Sequence, residues 1–237
     1  MRRAFLALIL LAAAAPGAAA ERSYTIGSFD RVRVSGPFEV RLTVGGSPRA
    51  RAEGERDLID QVQVRVDGNT LVVAMGTNGW GERGATSGSV PVVTLSTPRL
   101  RSAFLNGGGR LTIANMEGQA LDLAVTGSGT IATTGLDARQ LDAQVIGTGA
   151  LRLAGTAAKA RLSSNGPATI DAAALAVDDL VVRTDGAGDA HVAARYTAEV
   201  TATGVGRVVV DGKPACTIRP ARGHAPVVCG AGNSQVN

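Results

Sequence analysis

Apolar and polar residues alternate with a period of two along much of the chain, and the alternation keeps a fixed phase relative to a recurring Gly-x-Gly pair. Mostly apolar residues stand six, four and two positions before such a pair, and four and six positions after it. This alternation is typical of a β-strand with one buried face. Each unit therefore predicts a strand, a glycine corner, a second strand and a second turn. The residues in phase are Leu121/Leu123/Val125, Leu141/Ala143/Val145 and Leu180/Val182/Thr184 before the pairs, and Leu111/Ile113, Leu151/Leu153, Ile170/Ala172 and Val208/Val210 after them.

The glycine pairs recur about every twenty residues. Their first members are separated by 20, 20, 19, 20 and 18 residues, which is the spacing of one structural unit per repeat in a solenoid. A single coil buries about five side chains at roughly 2 kcal/mol each, too little to offset the ordering of its backbone at about 1–2 kcal/mol per residue. The coils must therefore stack, and the sequence predicts an all-β solenoid. Its corner glycines are Gly107, Gly109, Gly127, Gly129, Gly147, Gly149, Gly166, Gly186, Gly188, Gly204 and Gly206.

The period is less regular before residue 100. Residues 21–100 are expected to form further coils and an N-terminal cap, with a hairpin or corner at Asp67-Gly68-Asn69. Residues 211–237 contain Pro214, Pro220 and Pro226 and are expected to form the C-terminal cap. The sequence thus predicts a single solenoid domain over 21–237.

Residues 1–20 have the pattern of a cleavable signal peptide. Arg2 and Arg3 precede an apolar run that ends in the small residues Ala18, Ala19 and Ala20. The run is shorter than the roughly 20 residues that a spanning helix needs, so no stable membrane span is expected after cleavage. We expect an exported protein of the bacterial periplasm or cell surface.

The charge of the chain bears on its expected partners, and its two cysteines predict a disulfide. Loss of Arg2 and Arg3 with the signal peptide lowers the formal charge from +4 to +2, and the remaining Arg residues are scattered without a basic cluster. A nucleic-acid partner is therefore not expected. Cys216 and Cys229 are the two cysteines of the chain, and in an exported protein they are expected to form a disulfide.

The chain resembles the head GIN domain family, whose members are described as auto-transporter adhesins. The similarity lies in the opening segment Phe29-Asp30-Arg31-Val32-Arg33-Val34-Ser35-Gly36-Pro37-Phe38-Glu39-Val40, in Asp67-Gly68-Asn69-Thr70-Leu71, and in the corners Thr126–Gly129, Ile146–Gly149 and Thr203–Gly206. The sequence departs from the pattern at Asn165-Gly166-Pro167-Ala168, where the second glycine is lost, and at Asn106-Gly107-Gly108-Gly109, where one is gained. The resemblance implies a right-handed, single-stranded β-helix in the bacterial envelope, and it carries over no catalytic residue.

The strongest candidate for acid–base chemistry is a set of polar residues in equivalent positions of successive coils. Arg152, Asp171 and His191 each stand five places after a corner glycine, and Asp189 lies two residues before His191. Such groups could transfer protons if they converged beside a groove. A solvated ladder of mixed charge is the favoured interpretation, so no catalytic site is predicted.

Other motifs give no cofactor or metal prediction. Gly186-Ala187-Gly188-Asp189 lacks the nine-residue period of calcium-binding repeats, and His191 and His224 lack further ligands at a recognised spacing. The string from Gly79 to Gly84 matches a dinucleotide loop in letters, but no strand leads into it and no helical pattern follows. The single tryptophan, Trp80, lies in the same glycine-rich segment and is a candidate for stacking on a sugar ring or anchoring a partner.

Three functions fit this sequence. The favoured one is a noncatalytic exported module that presents solenoid faces for adhesion, scaffolding or binding, with a polysaccharide or an envelope protein as a candidate partner. The first alternative is a polysaccharide hydrolase or lyase on a β-helix, which requires paired carboxylates in a groove. The second is a periplasmic partner of a membrane or signalling protein.

Overall fold

A computed structural model of the protein describes residues 20–76, 90–220 and 225–230. The described chain is almost entirely β-structure, as predicted, with one short helix, α1 (Arg56–Ile59). Its strands are β1 (Ala20–Tyr24), β2 (Arg31–Ser35), β3 (Glu39–Val44), β4 (Arg49–Gly54), β5 (Val62–Asp67), β6 (Thr70–Met75), β7 (Val92–Thr97), β8 (Ser102–Asn106), β9 (Arg110–Ala114), β10 (Glu117–Gly127), β11 (Thr130–Gly147), β12 (Ala150–Asn165), β13 (Thr169–Asp185), β14 (Ala190–Ala202), β15 (Val208–Gly212), β16 (Ala215–Pro220) and β17 (Val227–Cys229).

Successive coils stack through parallel strand pairs, which confirms the predicted solenoid. Strands β10 to β14 pair in chain order, and residues about twenty apart are neighbours, as in Leu121↔Leu141 and Leu141↔Ala160. The residues predicted to share the inner face are buried on both sides of the glycine corners. Each coil therefore contributes a layer to one continuous core, and the ladder bonds between coils satisfy the backbone that a lone coil would expose.

Each coil has three sides rather than the two strands that the sequence pattern predicts. In the coil formed by β11, the inner-face alternation is interrupted at residues 134–135, at residues 139–140 and again at the glycine corner. We name the sides by this coil: side A is 130–133, side B is 136–138 and side C is 141–146. Side B was missed because it is short and buries no more than two residues per coil, such as Leu136 and Ala138 in β11 and Ala157 in β12.

The glycine corners bring backbones of neighbouring coils into close contact. Gly147 has a φ of +111°, a conformation that costs other residues strain. The second glycine of the pair, Gly149, does not share this conformation, but a Cβ atom there would lie 2.6 Å from the Gly129 carbonyl oxygen. One glycine thus turns the chain and the other leaves room for the coil below.

The N-terminal strands depart from a simple run of coils. β2 pairs with both β6 and β8, and β3 with both β7 and β9, all in parallel. The coil made by β2 and β3 therefore lies between the coil made by β6 and β7 and the coil made by β8 and β9. The order of these coils in space differs from their order in the sequence. β5 forms an antiparallel hairpin with β6 through the predicted turn at Gly68, while β4 and then β1 add antiparallel strands beside β7. These antiparallel strands cover the edge that the parallel ladder would expose.

The last described coil is made by β16 and β17, which pair in parallel with β14 and β15. Cys216 on β16 and Cys229 on β17 form a disulfide with their Cα atoms 6.5 Å apart, so the bond joins side C to side A. The boundaries at residues 100 and 211 remain predictions. Within the described parts of the chain, no helix has both the length and the apolar character needed to cross a membrane.

Candidate functional site

The predicted polar residues lie on the exposed outer surface of side A. Arg152, Asp171 and His191 are register neighbours on β12, β13 and β14. Nε2 of His191 lies 2.7 Å from Oδ2 of Asp211, and both side chains are about half exposed. The sequence pattern missed Asp211, because it belongs to a different outward column, opposite Ala193.

Asp189 does not join this histidine–aspartate pair. Its Oδ1 accepts a hydrogen bond from the backbone N–H of Arg207 at 2.7 Å, across neighbouring coils. The carboxylate thereby satisfies a backbone donor next to the Gly204–Gly206 corner. The role of Asp189 in this structure is therefore a hydrogen bond that joins two neighbouring coils.

The depressions along sides B and C are lined by other residues, and Arg152, Asp171 and His191 on side A contribute to none of them. Two carboxylates facing each other across a groove, as glycoside hydrolysis requires, are not formed by Asp171 and Asp189. The described residues also contain no group of three or more His, Cys, Asp or Glu side chains able to hold a metal ion. Trp80, the string from Gly79 to Gly84, and His224 lie outside the described residues.

A long depression runs along the outside of side B, and we call it the side-B groove. It has a volume of about 730 Å³ and crosses successive coils from Arg99 at one end to Arg195 at the other. Between these ends its lining is polar and charged, while Gly118, Ala138 and Ala157 supply small residues. Ala138 and Ala157 are buried, so they form the floor.

The carboxylates of the groove differ in their hydrogen-bond and ion-pair partners. Asp137 Oδ1 accepts a hydrogen bond from the Thr156 hydroxyl at 3.1 Å, and Asp178 Oδ1 lies 3.5 Å from a guanidinium nitrogen of Arg195. Glu117 is the register neighbour of Asp137. Arg139 makes none of the ion pairs found within the described ranges.

A second depression of about 340 Å³ adjoins the corner between sides B and C. It is lined by Gln140, Lys159 and Asp179, which are register neighbours on β11, β12 and β13, together with Arg161. The Thr197 hydroxyl donates to Asp179 Oδ1 at 2.7 Å. Tyr196 stands between Thr197 and the groove residue Arg195, and 65% of it is exposed.

Sequence reasoning did not single out any of these groove residues. They follow the second turn of each coil, where outward residues change from Glu to Asp to Thr between coils and no motif repeats. The signal that could have found them is the pair of consecutive outward residues at 139–140, which marks a third corner. Tyr196 could have been noted as an aromatic residue outside the buried phase.

The chain matches the family model described as "Putative auto-transporter adhesin, head GIN domain" over residues 28–214. It belongs to the head GIN domain family. The match spans the coils from β2 to β15 and therefore includes both the side-A residues and the side-B groove. A comparison with curated proteins found no match.

Solved structures share the fold of this head GIN domain. A putative adhesin from Bacteroides fragilis is 23% identical, with 91% of this chain and 98% of the other covered and a TM-score of 0.82. A putative lipid binding protein from Parabacteroides distasonis is 16% identical over 92% and 96% of the two chains, with a TM-score of 0.68. A putative adhesin from Parabacteroides merdae is 19% identical over 90% and 97%, with a TM-score of 0.67. At these identities the likeness concerns the fold.

Proposed function

We propose that this protein is a noncatalytic, adhesin-like module of the bacterial envelope that binds a polysaccharide through the outer surface of its solenoid. In this proposal residues 1–20 direct export and residues 21–237 form the exported domain. The observation that carries the proposal is the side-B groove, a polar depression that continues across several coils. An extended groove of this kind suits a polymer better than a small substrate.

The contacts of the polar residues favour binding over catalysis. Asp189 is engaged by the Arg207 backbone, and His191 and Asp211 form an exposed pair on side A. Catalytic acids and bases need a site that holds the reacting bond between them. These residues stand on an open surface, where a hydrogen bond between solvated groups is the simpler role.

The experiment is a combined binding and turnover assay on the mature protein, residues 21–237. Immobilised protein is exposed to envelope and extracellular polysaccharides, and reducing sugar and unsaturated products are measured in the same wells. We expect saturable binding and no product. Turnover that disappears in Asp171→Ala or His191→Ala would overturn the noncatalytic proposal and favour a hydrolase or lyase.

Cell fractionation tests the proposed export. A tagged full-length chain is expected in the periplasmic or surface fraction with residues 1–20 removed, and mass spectrometry of the mature N-terminus checks the cleavage. Retention of the uncleaved chain in the cytoplasm would contradict export. A mature protein that binds no polysaccharide in the binding assay but is captured by an inner-membrane protein would favour the alternative of a periplasmic partner of a membrane or signalling protein.

A further inference from the structure

We infer that the side-B groove binds a linear anionic polysaccharide whose chain lies along the solenoid axis. The inference rests on the proposed function and adds the class of ligand and the residues that hold it. It depends on three features of the groove: its direction, the cations that have no ion-pair partner within the described ranges, and the exposed tyrosine at one end.

The direction of the groove follows the stacking of the coils. Its lining residues include Glu117, Asp137 and Thr156, which are register neighbours on successive strands. Neighbouring strands are about 4.8 Å apart, so equivalent side chains repeat at that interval along the groove. The floor residues are small, which leaves space for a chain of sugar rings. A polymer lying along the axis would meet a new set of polar side chains at each coil.

The charge distribution favours an anionic chain along the corner where the side-B groove, lined by Arg139, adjoins the second depression, lined by Lys159. Arg139 immediately precedes Gln140, the register neighbour of Lys159, so the two cations lie on adjacent coils at the corner between sides B and C. Neither is in an ion pair within the described ranges, whereas Arg161 and Arg195 pair with Asp142 and Asp178. A guanidinium and an ammonium with free donors can bind carboxylate or sulfate groups of a ligand.

The acidic residues near these cations have a different role. Asp137 already accepts from Thr156, and Glu117 lies beside it at the end nearer Arg99. Carboxylates are acceptors, so they suit the hydroxyl groups of a sugar rather than its anionic groups. Asp179 accepts from Thr197 next to Lys159, which leaves its second oxygen for another hydroxyl. The ligand that fits both the cations and the carboxylates carries hydroxyls and anions on one chain.

Tyr196 provides an apolar surface for a sugar ring. It is 65% exposed and directly follows Arg195, which lines one end of the groove. Large exposed aromatic side chains contribute contact area at low entropic cost, and their faces accept apolar C–H surfaces. Burial of this ring against a sugar would remove it from water on binding.

The test is a titration of the mature protein by calorimetry with polygalacturonate, heparin and neutral dextran of matched length. We expect polygalacturonate or heparin to bind, dextran not to bind, and affinity to fall as NaCl rises, because ion pairs at an exposed groove are screened. Binding of polygalacturonate would show that carboxylates are sufficient, whereas binding of heparin alone would show that sulfate groups are required.

Variants locate the ligand. The double variant Arg139→Gln/Lys159→Gln is expected to bind roughly tenfold or more weakly, the effect of losing one or two charge-assisted hydrogen bonds. Tyr196→Ala is expected to weaken binding several-fold. The control is Arg110→Gln/Arg152→Gln on side A, which removes the same charge and should leave affinity within about twofold. Thermal unfolding of all variants verifies that each is folded.

Each result decides between the inference and the proposed function. Equal weakening by the two double variants would overturn the groove as the site, because only net charge would then matter. Binding of dextran but not of the anionic chains would overturn the anionic ligand and leave the proposed function standing. Absence of binding to every polysaccharide in the assay would overturn both.

Discussion

Gly149 stacks so closely on Gly129 that a Cβ atom at Gly149 would lie 2.6 Å from the Gly129 carbonyl oxygen. That oxygen also accepts the ladder hydrogen bond from the Ala150 N–H, at 2.9 Å. The carbonyl cannot move away without weakening the bond that joins the two coils. Close approach, rather than φ, is therefore what requires glycine at position 149.

Gly149→Ala is expected to lower the free energy of unfolding by at least about 2 kcal/mol, because it forces overpacking between backbones. Two other glycines separate the effect of close backbone approach from the effect of backbone strain. Gly45 has a φ of +103°, but no atom lies within 4 Å of the position that a Cβ would take there, so Gly45→Ala should cost about 1–2 kcal/mol through strain alone. Gly27 has neither feature, and Gly27→Ala should stay within about 0.5 kcal/mol of the parent. Denaturant unfolding measures all three, and a Gly149→Ala variant as stable as Gly27→Ala would contradict the explanation.

The same periodicity that identified the corners explains how much of the fold could be predicted. Residues such as Leu141 and Val145 keep phase with the glycines because they share one inner face through many coils. The order of the N-terminal coils could not be predicted, since β2 reads as one more strand whether its neighbour is β6, β8 or both. Pairing between distant segments leaves no local signal in the alternation of side chains.

The candidate site was harder to predict from the sequence than the fold, for a related reason. Stacking positions of Arg152, Asp171 and His191 could be counted from the corner glycines, but the position of Asp211 relative to His191 depends on a diagonal between two strands. The position of the side-B groove could not be derived from the corner glycines at all. The groove lies on a side of the coil that the two-strand pattern did not contain.

The disulfide at the last described coil should contribute to stability. Cys216 and Cys229 are 13 residues apart and connect sides C and A. A bond closing a loop of this length restricts the unfolded chain by about 3 kcal/mol. Cys216→Ser/Cys229→Ser, or reduction of the parent, is expected to lower the free energy of unfolding by about that amount. Denaturant unfolding with and without a reductant measures it.

The double variant serves as its own control, because reductant should leave its stability unchanged. An equal response of parent and double variant to the reductant would contradict a role for the bond. Hydrogen exchange gives a second check, and loss of protection is expected to be greatest in β16 and β17, which the bond connects.

The hydrogen bond of Asp189 predicts a structural phenotype rather than a catalytic one. Asp189→Ala leaves the Arg207 N–H without its side-chain acceptor and should cost about 1 kcal/mol. Asp189→Asn keeps an oxygen at the same place and should recover most of that loss. Asp171→Ala, on the same outer surface, makes no side-chain hydrogen bond in the described structure and should be close to neutral. Equal stability of the Asp189→Ala and Asp171→Ala variants would contradict this role.

Tyr24 predicts a dependence of stability on alkaline pH. Its hydroxyl donates to the Val62 carbonyl at 3.0 Å, and burial raises the pKa of the phenol, with Arg22 lowering it and Asp60 raising it further. The folded state therefore favours the neutral phenol. This contribution is complete below the unfolded pKa of about 10 and is lost as the pH rises through the higher folded pKa. Between about pH 9 and pH 12 the parent should lose stability more steeply than Tyr24→Phe, measured by urea unfolding at each pH. Tyr196→Phe is the control because that ring is exposed, and it should follow the parent. If Tyr24→Phe also followed the parent, the antiparallel edge formed by β1 would not depend on this buried hydroxyl.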